Sequence, residues 1–273
     1  MFEQYLKRWN LTIDGDPFTS CSGNLLPVRQ YGVAAILKLS SEAEERAGSR
    51  LMVWWGGEGA APVLAHDGEA LLMARAQGSA SLVQMVEQGR DDDATRILCA
   101  TVSQLHRPRA APLHTPLPAL VPLTQWFDAL LCAAPAHGGI VGLCAQTARE
   151  LLAAPRDVTV LHGDIHHGNV LDFGPSGWLA IDPKGLYGER AFDYANLFCN
   201  PDGESALAPG IFRRRIELVA DVAGIEPRRL LQWVLAWTGL STVWMLEDGE
   251  DGDDAGSRLE IGKLAAAALG IVE

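Results

Sequence analysis

The chain reads as an α+β protein in two parts, a small antiparallel β lobe carrying one helix over residues 1–76 and a mainly helical lobe over residues 77–273. Three observations predict this. Short apolar runs bounded by turn residues fill the first part. Apolar residues at helical spacing dominate the second. A length of 273 residues with 48% hydrophobic content suffices for a large core, and two lobes are a better expectation than one.

In the first part, residues 25–28, 33–39, 61–65 and 69–76 read as strands, with turn signals at Gly32 and at Asp67-Gly68. One helix lies between them. Ser41 followed by Glu44 is spaced as a capping box, Ala47, Leu51, Trp54 and Trp55 recur on one helical face, and Gly56-Gly57 ends the run. Lys38 closes the apolar run 33–37 immediately before this helix. The strand over 71–76 should join the lobes, with Gly78 and Ser79 as the hinge.

In the second part, residues 94–105 form a helix ending in His106-Arg107-Pro108, and 124–133 and 146–152 form two more. His106 and His114 fall in a Pro-rich stretch and are expected to be solvated or capping. Trp233, Trp237 and Trp244 fall on one helical face, which reads first as core packing and second as a stacking wall for a sugar ring. Six acidic residues follow, Glu247, Asp248, Glu250, Asp251, Asp253 and Asp254.

The chemistry is concentrated in Leu-His-Gly-Asp-Ile-His-His-Gly-Asn-Val at 161–170 and Ala-Ile-Asp-Pro at 180–183. Residues 158–161 and 178–181 read as strands, and the turn chemistry of 173–177 suggests that they pair as a hairpin. Phosphoryl transfer needs a positioned hydroxyl and neutralised phosphate charge rather than covalent catalysis. The D-x-x-x-x-N spacing of Asp164 and Asn169 matches the catalytic loop of protein kinases, with Asp164 as base and Asn169 and Asp182 as oxygen ligands for Mg2+. Lys38 then suits the α- and β-phosphates of ATP, steadied by Glu45, with the adjacent Glu44 as the alternative partner. Ser22, in the small polar stretch 19–24, would approach the phosphates, and Met73, Ala74 and Ala76 would face the nucleotide base. No G-x-x-x-x-G-K-[ST] triphosphate motif occurs. Asp193, after the metal segment, is placed to brace it, whereas Lys184 and Glu189 read as surface residues.

Other classes fit less well. A net charge of −12 without a basic tract argues against nucleic acid and suits a cationic small-molecule substrate. Five scattered cysteines, at 21, 99, 132, 144 and 199, read as reduced thiols, mostly core filler. The N-terminus lacks a leader pattern, and no run reaches the ~20 apolar residues of a membrane span. A cytoplasmic, monomeric protein is therefore expected. The density of His162, Asp164, His166 and His167 also raises a metallohydrolase, but that would leave Lys38 and Asn169 unexplained. A non-catalytic kinase-shaped binder would have no need of Lys38, Asp164, Asn169 and Asp182 together.

The segments His162-Gly163-Asp164-Ile165-His166-His167-Gly168-Asn169 and 177–189, with 53–60 and 227–231 in support, resemble the aminoglycoside phosphotransferase family. The likeness is nearest the branch of streptomycin 6-kinases and hydroxyurea phosphotransferases. It implies a bilobal protein-kinase-like fold and ATP-dependent, Mg2+-dependent O-phosphorylation of an aminoglycoside, expected to be streptomycin at its 6-hydroxyl, with hydroxyurea or a metabolite as alternatives. Such substrates carry guanidinium groups, for which Asp164, Glu247 and Asp248 are the expected contacts. One departure concerns Gly48, which stands where better-known members place the pairing glutamate.

Overall fold

A computed structural model of the chain describes residues 1–20, 22–109, 116–249 and 253–271. His114, Cys21, Glu250 and Asp251 lie outside the described residues.

The N-terminal lobe starts with a short helix that the sequence did not suggest, α1 (Glu3–Arg8), followed by β1 (Leu11–Ile13), β2 (Phe18–Ser20), β3 (Gly23–Gln30) and β4 (Val33–Leu39). After these come α2 (Ala43–Trp55), β5 (Val63–Asp67) and β6 (Ala70–Ala74). The strands form one six-stranded sheet in the order β1-β3-β4-β6-β5, with β2 also on β3 and every pair antiparallel. Alternation along β4 sorts its side chains. Ala35, Leu37 and Leu39 join Leu26, Val28 and Leu72 in a core covered by Phe2, Tyr5, Leu6 and Trp9 around α1. Ile36 and Lys38 therefore face the other way, toward the second lobe, where Ile36 packs against Met52, Met73, Phe173 and Leu179.

Two local expectations change. Helix α2 begins at Ala43 with Glu42 as its cap residue and no side-chain capping bond, so Ser41 and Glu44 do not form a capping box. Ser40 Oγ instead accepts from the Glu42 amide, because 40–42 is still extended lead-in, and this leaves the Glu44 carboxylate for another partner. The strand expected over 61–65 starts at Val63, since residues 59–61 bond across to Ala180 of the second lobe.

The second lobe continues with α3 (Leu82–Glu87), α4 (Asp91–Leu105), β7 (Val121–Pro122), α5 (Leu123–Trp126), α6 (Asp128–His137), α7 (Gly139–Ala153), β8 (Val158–Leu161), β9 (Val170–Asp172), β10 (Trp178–Ala180) and β11 (Leu186–Glu189). It closes with α8 (Gly203–Leu207), α9 (Ile211–Ala223), α10 (Pro227–Glu247) and α11 (Asp253–Ala268). The helix expected over 124–133 is two helices, broken at Phe127, whose buried ring wedges against Phe192 and Trp233. The hairpin partner of β10 is β9, not the strand before the catalytic loop. That strand, β8, pairs with β11. The turn 173–177 joins the segments directly on either side of it, and 161–170 is too irregular to continue a ladder.

Helix α10, with proline at its first position, forms the lobe's spine; fourteen of its residues are buried. Burial pushes the Cys99 and Cys144 thiols up to about 12, as expected of inert core thiols. Two buried ion pairs join separate elements, α10 to β11 and α9 to α4. Arg229 holds Glu189, which is buried rather than on the surface. Arg215, 1% exposed, holds Asp91 at 2.6 Å and donates to the carbonyls of Leu197 and Asn200. Arg215→Met would leave Asp91 buried without its counter-charge and is expected to cost about 3–5 kcal/mol, read as a lowered urea midpoint.

Candidate active site

The loop after β8 is held from below by Asp193. Its carboxylate accepts from the amides of His162 (2.9 Å) and Gly163 (2.8 Å), so the bracing anticipated for it falls on the catalytic loop. His106 Nε2 lies 2.7 Å from the same carboxylate, which places that ring inside the protein rather than in solvent. Gly163 has φ +88°, and a Cβ there would press on Leu186 at 2.7 Å, so the turn that presents Asp164 requires glycine. His162 is buried against the Trp55 ring; its Nδ1 accepts from the Asp164 amide and its Nε2 meets the Ile181 carbonyl. Burial lowers its pKa, as it does for His166 and for His167, which falls to about 3.

Both oxygens of Asp164 are oriented by neutral amides: Asn196 Nδ2 donates to Oδ1 at 2.8 Å and Asn169 Nδ2 to Oδ2 at 3.1 Å. Asn169 Nδ2 also reaches the Asp164 carbonyl at 3.0 Å, which leaves its own Oδ1 without an intramolecular donor among the described residues. Asn196 was not legible in the sequence. It is steadied in turn by Asn200, whose Nδ2 donates to its Oδ1 and carbonyl.

Asp182 follows β10 in a left-handed backbone conformation, φ +58°, uncommon for a non-glycine residue and a mark of a constrained site. Its Oδ1 accepts from Lys38 at 2.9 Å and its Oδ2 from Ser22 Oγ at 3.0 Å. Lys38, 3% exposed, donates also to Glu45 Oε2 at 2.6 Å, so Glu45 rather than Glu44 is the partner present. Glu44 pairs with Lys184, which is no surface residue: it also contacts Glu45 and lines the cleft beside Asp164. Gly48 falls at the contact of α2 with the metal segment, where a Cβ would run into the Pro183 carbonyl.

Of the residues expected at the base, Met73 is buried among Met52, Phe173 and Leu179. The Ala74 amide already bonds Pro62 and the Arg75 amide Ala34, so of that stretch Ala76 keeps an amide outside the sheet. Gly78 does not act as a loose hinge: its amide bonds the Asp172 carbonyl, and Ala80 bonds the Asp172 carboxylate.

In front of Asp164 opens a cleft of about 450 Å³. Trp126, Trp237 and Trp244 wall one side, with edge-to-face contacts at 5.2 and 5.7 Å, while Glu44, Asp164 and Asp248 bring carboxylates and Lys184 and Arg258 bring cations. Trp233 is buried in the core, Trp237 packs in that core and also reaches the cleft, and Trp244 lines the cleft. Glu247 is exposed and does not line this cleft; Asp248 does.

The geometry gathers oxygen ligands suited to a hard cation, Asp182 and Asn169, beside a buried ammonium suited to phosphate. A three-residue cluster of His, Cys, Asp or Glu arranged for metal is absent among the described residues, and His162 has both ring nitrogens engaged. A profile of the aminoglycoside/hydroxyurea antibiotic resistance kinases matches residues 8–249. The chain belongs to this family. It is 50% identical to a streptomycin 3''-kinase of Klebsiella pneumoniae over 89% of this chain and 92% of the relative. It is 32% identical to a streptomycin 6-kinase of Streptomyces griseus over 89% and 81%. A crystal structure of a thermostable mutant aminoglycoside phosphotransferase with ADP and hygromycin B superposes with TM-score 0.66 over 97% of both chains at 16% identity. A Plasmodium vivax ethanolamine kinase does so at 0.65, over 96% of this chain and 84% of its own, at 12% identity. As an aminoglycoside phosphotransferase the protein has the bilobal kinase-like fold expected, and its chemistry is ATP-dependent phosphoryl transfer with Mg2+. No helix among the described residues is long and apolar enough to cross a membrane.

Proposed function

We propose that this kinase transfers the γ-phosphoryl group of ATP to streptomycin, at the 3''-hydroxyl. The observation that carries the reading is the 50% identity to a streptomycin 3''-kinase along nearly the whole of both chains. The 6-hydroxyl expected from the sequence is the alternative; the two 6-kinase relatives are 32% and 30% identical. The cleft agrees with a sugar-bearing cation: tryptophan faces suit a ring's apolar side and a cationic group, and Asp248 suits a guanidinium. Hydroxyurea, named for a 30% identical relative, is too small to use that wall.

In this reading Asp164 takes the acceptor proton, its carboxylate aimed by Asn196 and Asn169. Asn169 and Asp182 hold Mg2+, which supplies neutralisation of the triphosphate charge. Lys38 moves from Asp182 to the α- and β-phosphates while Glu45 keeps it extended, Ser22 approaches the phosphates, and Met73 and the backbone of Ala74 and Ala76 border the base. The phosphate added carries about two negative charges onto a molecule that acts by binding RNA, which inactivates it by repulsion.

The test is ADP release with Mg-ATP against streptomycin, other aminoglycosides and hydroxyurea, followed by NMR of the phosphorylated product. Turnover with streptomycin and a phosphorus coupling at the 3'' carbon is expected. Coupling at carbon 6 would overturn the position, and turnover only with another acceptor would overturn the substrate.

A further inference from the structure

Lys184 is part of a charge chain that crosses between the lobes. Asp182 Oδ1 meets Lys38 at 2.9 Å, Lys38 meets Glu45 Oε2 at 2.6 Å, Glu45 Oε1 meets Lys184 at 3.0 Å, and Lys184 meets Glu44 at 2.8 Å. The two oxygens of Glu45 thus hold different lysines, one from β4 and one from the segment after Asp182. The Lys184 backbone is anchored as well, its amide donating to the His162 carbonyl at 2.7 Å. Sterics bind the same elements: Gly48 of α2 lies on Pro183, and Ala47 lies against Gly185.

We propose that Lys184 is a positioning residue for the nucleotide, a strap that fixes α2 on the metal segment so that Glu45, Lys38 and Asp182 stay in register for Mg-ATP. The proposal rests on the kinase reading but not on the acceptor's identity. Glu45 is buried, and without Lys184 it would share only Lys38 with Asp182, two carboxylates against one ammonium, while the more exposed Glu44 would lose its partner. Glu45 would then shift toward solvent and draw Lys38 off Asp182. A direct role at the acceptor would behave differently, because Lys184 also lines the cleft beside Asp164.

The experiment measures Mg-ATP binding without acceptor by calorimetry, alongside steady-state kinetics, for Lys184→Met, Lys184→Arg and Glu44→Gln. Lys184→Met is expected to raise the Kd for Mg-ATP about tenfold, the scale of a lost charge-assisted bond, with acceptor KM changed less than about twofold. Lys184→Arg should recover most of this. Glu44→Gln, which removes a negative charge facing the same ammonium at the surface, should raise the Kd about threefold and add nothing to Lys184→Met in the double variant. Wild-type Mg-ATP affinity in Lys184→Met, or in Glu44→Gln should the first not fold, overturns the proposal, as does a change confined to acceptor KM or kcat. Wild-type protein that fails to bind Mg-ATP would instead refute the kinase reading itself.

Discussion

Asp164→Asn is expected to lower kcat on streptomycin by about 10³- to 10⁴-fold while Mg-ATP affinity stays within about twofold of wild type. Two reasons combine. The amide cannot take the acceptor proton, and it presents one acceptor and one donor where the carboxylate presents two acceptors. Asn196 and Asn169 each donate to a different oxygen of Asp164, so one of them would face an NH2 group and the side chain would lose its aim. The nucleotide contacts proposed for Lys38 and Asp182 do not involve Asp164, which is why binding should survive. Single-turnover kinetics with calorimetric ATP binding separate the two quantities, and a near-wild-type rate would remove Asp164 from the role of base.

Asp182→Ala should act at the other end, weakening Mg-dependent ATP binding and lowering kcat/KM on the order of 10³-fold. The carboxylate accepts from both Lys38 and Ser22, so its loss removes a metal ligand and frees the two groups that it aligns. Backbone strain at φ +58° is a separate effect, because alanine tolerates that conformation worse than aspartate does. Asp182→Gly relieves the strain without restoring the ligand, and Asp182→Asn keeps one oxygen. Titrating Mg2+ at fixed ATP should show the metal requirement rise in all three, least in Asp182→Asn. An unchanged requirement would place the metal elsewhere.

The part of this site that could be read from the chain is the part whose chemistry forces local order. Asp164, Asn169 and Asp182 flank one loop and one hairpin, so their spacing carried the reaction class; Lys38 and Glu45 stand at a strand end and the next helix start. The groups that were missed act through tertiary contact alone. Asn196 reaches Asp164 from thirty-two positions away, and His106 reaches Asp193 across eighty-seven, with no periodicity to announce either. Lys184 was misread because a lysine after a turn looks solvated until α2 is known to lie on it. Strand pairing failed for a related reason: short apolar runs mark 158–161 and 178–181 as strands but do not say which neighbour each takes. Helix α1 is only six residues long, too short to show a period, yet it covers the outer face of the sheet and so turns Lys38 toward the cleft. The acceptor hydroxyl is the least legible feature, since relatives named as a streptomycin 3''-kinase and as streptomycin 6-kinases both match along most of this chain.

The most direct test of that last point is the structure of a ternary complex with streptomycin and a non-hydrolysable ATP analogue. The 3''-oxygen should lie within about 2.6–3.2 Å of the Asp164 carboxylate, in line with the γ-phosphorus, with its sugar against Trp237 and Trp244. Streptomycin bound outside the tryptophan-walled cleft, or presenting another hydroxyl to Asp164, would contradict the account.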